Sequence, residues 1–253
     1  NSMNLVNTLI PETVDVEGEK IWDDANNQDG KRPQSITVQL VGQVLDTDGE
    51  TVLATIDTTG KTATLSDEAG WTYKFEGLQK HINLGTVENP DVREITYTVT
   101  DSVDGYTTTS EGYNVKNTHV PETVVFDGLK DWVDNDNQDG KRPTSISVQL
   151  KANGVAAQQD GKDVVATLTE DNGWTATVSG LPLNENGTPI KYTWTEDETG
   201  LPEGYSLTGN STSGTVTTIT NHHDIDPTEA TVKKVWDDAD NQDGKRPTSI
   251  SVQ

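Results

Sequence analysis

One stretch of the sequence, Lys20-Ile-Trp-Asp-Asp-Ala-Asn-Asn-Gln-Asp-Gly-Lys-Arg-Pro33, returns almost unchanged at residues 130–143 and again at residues 234–247. A repeat of about one hundred residues is a small domain rather than a solenoid unit. Each copy leads into a run of alternating apolar and polar residues, and Asn-Gly turn signals separate further short runs of the same kind. The sequence therefore predicts an all-β protein made of tandem β-sandwich domains.

The repeats divide the chain into four predicted parts. They are residues 1–12 (the closing strand and linker of a preceding repeat), 13–120 (first domain), 121–225 (second domain) and 226–253 (the N-terminal part of a third repeat). Asn7 matches the closing asparagine of the later repeats, and Lys234 opens a third repeat in which no matching acid or asparagine follows. We therefore expect two complete sites, one in each full domain.

Composition narrows the class of function. The 253 residues carry 42 Asp and Glu against 18 Lys and Arg, a formal charge of −24, which argues against nucleic acid or an anionic membrane as partner. Cysteine is absent, which excludes disulfides, thiolate nucleophiles and cysteine-ligated zinc. No run approaches the roughly 18 apolar residues of a membrane-spanning helix.

The lysine that opens each repeat lies on the apolar side of its strand pattern. Side chains in a strand alternate between faces, so Lys20 shares one face with Val14, Val16 and Trp22. Lys130 and Lys234 hold the matching positions. A charged ammonium group in a core must be paired, neutralised or used chemically, because its burial is costly.

The same alternation places an acid and an asparagine on apolar faces of two later strands. The predicted sets are Lys20, Asp101 and Asn117 in the first domain and Lys130, Glu196 and Asn221 in the second. Burial favours a neutral amine and a protonated acid, and an acid that donates to the asparagine carbonyl oxygen would activate it. Attack by the amine would then expel ammonia and leave a Lys–Asn isopeptide bond. The alternation shows on which face each side chain lies, but it does not show that the three side chains touch. A buried Lys–acid–Asn cluster held only by hydrogen bonds, with no crosslink, is therefore an equally consistent interpretation.

The ordered motifs resemble a known family. The Lys-x-Trp block, the Gly-Trp pairs at 70–71 and 173–174, the strand at 97–101 and the closing asparagine are similar to the CnaB (B-type repeat) domains of Gram-positive cell-wall-anchored surface proteins and pilins. The resemblance implies tandem reversed immunoglobulin-like (prealbumin-like) sandwiches. It also implies spontaneous bonds from Lys20 to Asn117, assisted by Asp101, and from Lys130 to Asn221, assisted by Glu196. The family usually has Glu where Asp101 stands, and the shorter side chain raises the question of whether Asp101 reaches both partners.

The resemblance further implies a stalk or spacer in a bacterial surface adhesin or pilus. Such a chain would be extracellular, with its cell-wall anchor outside these residues, and would act as a monomer without cofactors. Its partners would be neighbouring repeats and, through other domains, host extracellular matrix. It would catalyse only its own single-turnover crosslinks. The alternative is an adhesive module that recognises a host matrix protein or glycan.

Two clusters of acidic residues or histidines contain metal-ligand types. The acidic loop with Asp23, Asp24, Asn27 and Asp29 is similar to the start of an EF-hand, but Ala25 and Ile36 stand at the first and twelfth ligand positions, which favours a solvated turn. The run His222-His223-Asp224 lies in a predicted linker. No metal site is predicted at either place.

Overall fold

The structure is a computed structural model that describes residues 8–253, with the side chain of Glu198 excepted. Asn7 and the other residues of the predicted preceding repeat up to position 7 lie outside the described range. Among residues 8–253, no helix has the length and apolar character needed to cross a membrane.

The first sandwich contains ten strands. They are β1 (Thr13–Asp23), β2 (Ser35–Leu45), β3 (Val52–Ile56), β4 (Thr62–Ser66), β5 (Thr72–Gln79), β6 (His81–Asn83), β7 (Val92–Glu94), β8 (Thr96–Thr100), β9 (Thr107–Glu111) and β10 (Asn114–Thr118). Of these, β1, β2, β5 and β8 alternate between buried and more exposed side chains.

The second sandwich repeats this order and adds one short hairpin. Its strands are β11 (Thr123–Val133), β12 (Ser145–Ala152), β13 (Val155–Ala156), β14 (Gln158–Gln159), β15 (Lys162–Asp163), β16 (Val165–Thr169), β17 (Thr175–Pro182), β18 (Asn184–Glu185), β19 (Thr188–Pro189), β20 (Tyr192–Glu196), β21 (Tyr205–Ser213) and β22 (Val216–His223). The added hairpin is β14–β15. Two 3-10 turns, Glu198–Gly200 and Ala239–Asn241, are the helical elements of the described chain.

In each sandwich the first and last strands are neighbours. One sheet has the order β5-β1-β10-β9, and in the other β2 pairs with β3, β4 and β8. The second sandwich repeats this with β17-β11-β22-β21 and with β12 paired to β13, β16 and β20. The first and last strands run parallel, β1 against β10 and β11 against β22. Apolar side chains of both sheets fill the core between them, including Val16, Phe75, Val38, Leu40 and Val99. The predicted all-β sandwich fold is confirmed.

The repeated block forms a left-handed turn after the first strand. Ala25, Asn26 and Asn27 have φ values of 49°, 58° and 62°. Asp24 Oδ1 accepts a hydrogen bond from the Asn27 backbone N–H at 2.9 Å. The Arg32 guanidinium donates hydrogen bonds to both Asp24 carboxylate oxygens, at 2.6 and 3.0 Å. The other two copies make the same contacts from Asp134 and Asp238. The block is therefore a locally closed element that recurs in every repeat.

The turn of the first sandwich also meets the second sandwich, and we call this contact the joint. Asp29 accepts hydrogen bonds from His119 Nε2 at 2.9 Å, from the Glu122 backbone N–H at 2.8 Å and from Asn184 Nδ2 at 3.2 Å. The Gly187 backbone N–H donates to the Gln28 carbonyl at 3.0 Å. A Cβ on Gly30 would lie 2.6 Å from Gly187 Cα, so the backbones meet without room for a side chain.

Candidate functional site

The parallel pairing of first and last strands brings the lysine and the asparagine to one face. In the first sandwich Lys20 lies opposite Val115 and Trp22 lies opposite Asn117. Lys20 and Asn117 are thus two positions apart on neighbouring strands and point to the same side. The second sandwich has the same register, with Lys130 opposite Ile219 and Trp132 opposite Asn221.

In the first sandwich one carboxylate oxygen serves both partners. Asp101 Oδ2 lies 2.9 Å from Lys20 Nζ and accepts a hydrogen bond from Asn117 Nδ2 at 3.1 Å. The Lys20 and Asp101 side chains have no solvent exposure. Asp101 follows directly after β8, and its shorter side chain does reach both partners.

In the second sandwich each carboxylate oxygen of Glu196 contacts a different partner. Glu196 Oε2 lies 3.3 Å from Lys130 Nζ, and Oε1 accepts from Asn221 Nδ2 at 3.0 Å. Lys130 Nζ also donates to the Ile219 carbonyl at 3.5 Å. All three side chains are buried or nearly so. The predicted sets thus come together in both domains.

Burial pushes both lysines toward the neutral amine. Removal from water lowers the pKa of Lys20, and the nearby Asp101 carboxylate only partly opposes that shift. The same effect lowers the pKa of Lys130 to about 8, against the attraction of Glu196. A lysine near this value carries a substantial neutral fraction close to neutral pH, and the neutral form is the nucleophile.

Several buried polar atoms of the two sets have no hydrogen bond of acceptable geometry. They are Lys20 Nζ, Asn117 Oδ1, Glu196 Oε2 and Asn221 Oδ1. Unsatisfied buried polar atoms are costly, and groups of them mark functional sites more often than ordinary cores. A half-turn of the Asn117 amide about Cβ–Cγ would place its carbonyl oxygen toward the acid. The arrangement can therefore present an amide carbonyl to a proton donor and an amine together.

Aromatic side chains close each site from water. The Trp22 ring lies 4.7 Å from Lys20 Nζ and packs edge-on against Trp71 and Tyr106, at centroid distances of 5.2 and 5.1 Å. Trp71 has a φ of 57°, unusual for a bulky residue, and its carbonyl accepts the Lys20 backbone N–H at 2.7 Å. The Gly-Trp motif thus fixes the lysine strand and covers the lysine. Trp132, Trp174 and Tyr205 repeat the arrangement.

The third repeat has the first part of a site. Lys234 Nζ lies 4.7 Å from the Trp236 ring, as in the complete repeats. Lys234 is exposed, and within residues 8–253 no acid forms an ion pair with it. The short-range Lys-x-Trp contact therefore forms without the sheets that bury it elsewhere.

In the acidic loop and in the His222–Asp224 run, the residues of metal-ligand type contact protein groups. Burial would raise the pKa of Asp24, but hydrogen bonds from Arg32, Asn27 and Tyr106 outweigh it and hold that pKa low. His222 Nε2 lies 3.7 Å from Asp224 Oδ1 at the surface, whereas His223 turns away to Asp139 at 3.2 Å. Asp139, His223 and Asp226 form a group of metal-ligand types, but the Asp226 carboxylate already pairs with Lys141 at 2.6 Å.

Sequence reasoning missed two features of these sites. Thr108 Oγ1 donates to Asp101 Oδ1 at 3.0 Å, a contact that depends on the register of β9 against β10. The hydrogen bonds of Asp29 in the joint were missed as well. The sequence carried one signal for the Asp29–His119 contact. Asp29 and His119 of the first repeat match Asp139 and His223 of the second.

The repeats match a known family of protein domains. The family model described as Cna protein B-type domain matches residues 16–118, 126–222 and 230–253. The chain is 40% identical over 250 residues to the collagen adhesin of Staphylococcus aureus, covering 98% of this chain and 19% of that protein.

Solved structures of B repeat units are similar as well. The crystal structure of two B repeat units of the collagen-binding protein of S. aureus matches with a TM-score of 0.62 and 38% identity, over 92% of this chain and 56% of that one. A single B repeat unit of the same protein matches with 34% identity and a TM-score of 0.36, over 84% of this chain and 99% of that one. Because this family model matches most of the chain, the chain belongs to the Cna protein B-type domain family.

Proposed function

We propose that each complete domain forms one intramolecular Lys–Asn isopeptide bond without any other factor, and that the crosslinked domains serve as stalk repeats of a bacterial surface protein. The observation that carries the first part is the buried contact of amine, acid and carboxamide in both domains, at 2.9 and 3.1 Å from Asp101 and at 3.3 and 3.0 Å from Glu196.

The reaction balances within each set. A proton passes from the lysine ammonium to the paired carboxylate, which leaves a neutral amine beside a carboxylic acid. The amine nitrogen attacks Cγ of the asparagine while the acid donates its proton to the amide carbonyl oxygen. The carboxylate then relays one proton from the lysine nitrogen to Nδ2, and the Cγ–Nδ2 bond breaks. The proton on the former carbonyl oxygen returns to the carboxylate as the C=O bond reforms. One ammonia leaves, one new amide forms and the carboxyl group is regenerated.

The proposed stalk role follows from which strands are joined. The bond would link β1 to β10 and β11 to β22, the strands by which the chain enters and leaves each sandwich. Tension would then cross each domain through a covalent bond rather than through the sheets. A closed loop of about 100 residues would also stabilise the fold by about 4 to 5 kcal/mol in the loop-entropy account.

The location and partners belong to the same proposal. The S. aureus relative is a collagen adhesin, and this chain spans about a fifth of its length. We propose that this chain belongs to an extracellular, cell-wall-anchored protein, as a monomer whose immediate partners are its neighbouring repeats. Binding of a host matrix protein would then be a property of other domains.

Intact mass of the denatured protein tests the bond. We expect a mass two ammonias below that of the sequence, because each domain loses one. Lys130→Ala should restore one ammonia, and Lys20→Ala together with Lys130→Ala should restore both. Asn114→Ala is the matched control, since Asn114 lies on β10 outside the buried set and should leave the deficit at two. A native protein of full sequence mass would refute the crosslinking mechanism.

Single-molecule stretching tests the mechanical role. We expect the unmodified chain to show no extension from unfolding of the residues between Lys20 and Asn117 or between Lys130 and Asn221. Lys130→Ala should restore one unfolding event, of the second domain alone. Because intact bonds make that extension impossible, two full-length unfolding events would contradict both the bonds and the stalk proposal.

A further inference from the structure

The two domains hold their acids in different ways. In the first domain Asp101 Oδ2 faces both Lys20 and Asn117, and Asp101 Oδ1 accepts a hydrogen bond from Thr108 Oγ1 at 3.0 Å. Thr108 lies on β9 directly opposite Asn117, so its side chain points to the same side as the reacting asparagine.

The second domain has no hydroxyl at the matching place. Leu207 lies opposite Asn221 on β21, and it packs against the apolar core. Here each oxygen of Glu196 faces a member of the buried set, Oε2 toward Lys130 and Oε1 toward Asn221. The short acid thus occurs with a threonine donor, and the long acid occurs with a leucine.

We propose that Thr108 is a positioning residue for bond formation in the first domain, and this inference rests on the crosslinking function proposed above. An aspartate side chain reaches the lysine and the asparagine with one oxygen, which leaves the other oxygen needing a donor. The Thr108 hydroxyl fills that need and holds the carboxyl group in one orientation about its Cβ–Cγ bond.

The hydroxyl also fixes where the acid carries its proton. Because Thr108 donates to Oδ1, that oxygen remains an acceptor, and the proton taken from Lys20 resides on Oδ2. Oδ2 is the oxygen within hydrogen-bond distance of both Lys20 Nζ and the Asn117 carboxamide. A carboxyl group free to rotate would present the protonated oxygen to the carboxamide only part of the time.

The test is the time course of the first-domain bond in the full 253-residue chain, with the second domain as internal control. Protein is made by cell-free synthesis, and samples are denatured at intervals. The Lys20–Asn117 and Lys130–Asn221 linked peptides are then quantified by mass spectrometry after proteolysis. We expect Thr108→Val to slow formation of the first linked peptide by about ten-fold, the effect of one hydrogen bond to a carboxyl group. The second linked peptide should form at its usual rate.

Two further variants separate positioning from folding. Thr108→Ser keeps the hydroxyl and should restore most of the rate. Asp101→Glu combined with Thr108→Val copies the acid and the apolar neighbour of the second domain, and it should form the bond faster than Thr108→Val alone. A general loss of packing would not be repaired by lengthening the acid. The midpoint of thermal unfolding of Thr108→Val in a Lys20→Ala background would confirm that the domain folds.

Each other outcome overturns a distinct statement. Equal rates for the unmodified chain and Thr108→Val would refute the role of Thr108 while leaving the crosslinking function in place. No gain from the added Asp101→Glu would assign Thr108 a structural role only. Absence of the Lys20–Asn117 peptide from the unmodified chain would overturn both the role of Thr108 and the proposed first-domain bond.

Discussion

Lys20 and Lys130 show how a single side chain links fold and chemistry. Each lysine holds an inward-facing position in the alternating pattern of its strand. Its side chain therefore enters the core although the burial of a charged group is costly. Burial then lowers the lysine pKa, and the attraction of the neighbouring carboxylate opposes this shift only in part. The same desolvation that makes the site costly thus favours the neutral amine, which is the form that the proposed reaction needs.

The pKa of Lys130 has a consequence for stability that can be measured when the bond is blocked. In an Asn221→Ala variant Lys130 cannot react, and its folded-state pKa of about 8 lies below the ordinary value of 10.5. Between these two values the unfolded chain binds more protons than the folded one, so the free energy of unfolding rises with pH. We expect a gain of about 3 kcal/mol across this window, measured by urea denaturation.

The matched control for the pH series is Asn221→Ala combined with Lys130→Met. This variant keeps a side chain of similar length but has no titrating amine, so its stability should lack that rise. If both variants changed equally between pH 8 and 10.5, the lysine would not be the group responsible.

At the scale of a structural element, the feature that recurs in every repeat is the left-handed turn after the first strand. Asp24, Asn27 and Arg32 close it with side-chain hydrogen bonds to the backbone and to each other, over no more than eight positions in sequence. Because these contacts are local, the third copy forms them although its one 3-10 turn and its coil segments belong to no sheet. The repeated block was recognisable in the sequence for this reason, but the left-handed conformation was not predicted.

One position in the turn is poorly suited to its conformation. Ala25 has a φ of 49°, where the alanine Cβ crowds the backbone, whereas the second domain has Asn135 at the matching position with a φ of 53°. We expect Ala25→Asn to stabilise the first domain by about 1 kcal/mol, measured by urea denaturation in a Lys20→Ala background. Ala54→Asn, outside the left-handed region, should give no such gain. A destabilised Ala25→Asn variant would show that the side chain and not the backbone decides this position.

At the scale of the whole molecule the joint sets how the two sandwiches stand relative to each other. Asn184 and Gly187 of the β18–β19 hairpin contact Asp29, Gln28 and Gly30 of the first turn. In the second sandwich the matching turn lacks such a hairpin within the described residues, and the Asp139 side chain is 15% exposed against 1% for Asp29. Contact with the following domain therefore removes the remaining solvent exposure of Asp29.

Loss of the hairpin contacts should loosen the molecule without unfolding it. The chain has no cysteine, so Thr37→Cys and Ser147→Cys, at matching exposed positions of β2 and β12, can carry a unique pair of spin labels. We expect Asn184→Ala with Gly187→Val to broaden the distance distribution between the labels, as measured by pulsed electron paramagnetic resonance. Glu185→Ala, an exposed neighbour in the same hairpin, should leave it narrow. An unchanged distribution in the double variant would mean that the linker alone fixes the geometry.

The sequence was informative wherever a pattern of period two or a whole repeat carried the signal. Lys20 and Asn117 were found because each lies on a strand with one buried face, and Asp101 because it continues the alternation of β8 by one position. Thr108 was missed because its contact depends on how β9 pairs with β10, and the turn that sets this register has no distinctive pattern. The joint was missed because Asp29 and Asn184 are 155 positions apart and no periodic signal connects them.

The hairpin of β6 and β7 shows what joining the first and last strands would change. Its tip is open to solvent, with Val87 93% exposed, and exposed loop tips are preferred sites of proteolytic cleavage. Once Lys20 and Asn117 are joined, the backbone between them is a closed covalent ring. A single cut at residues 84–91 would open that ring into a branched chain and release no piece of it. The damaged domain would still connect everything on either side, and separating the two ends would take a second break.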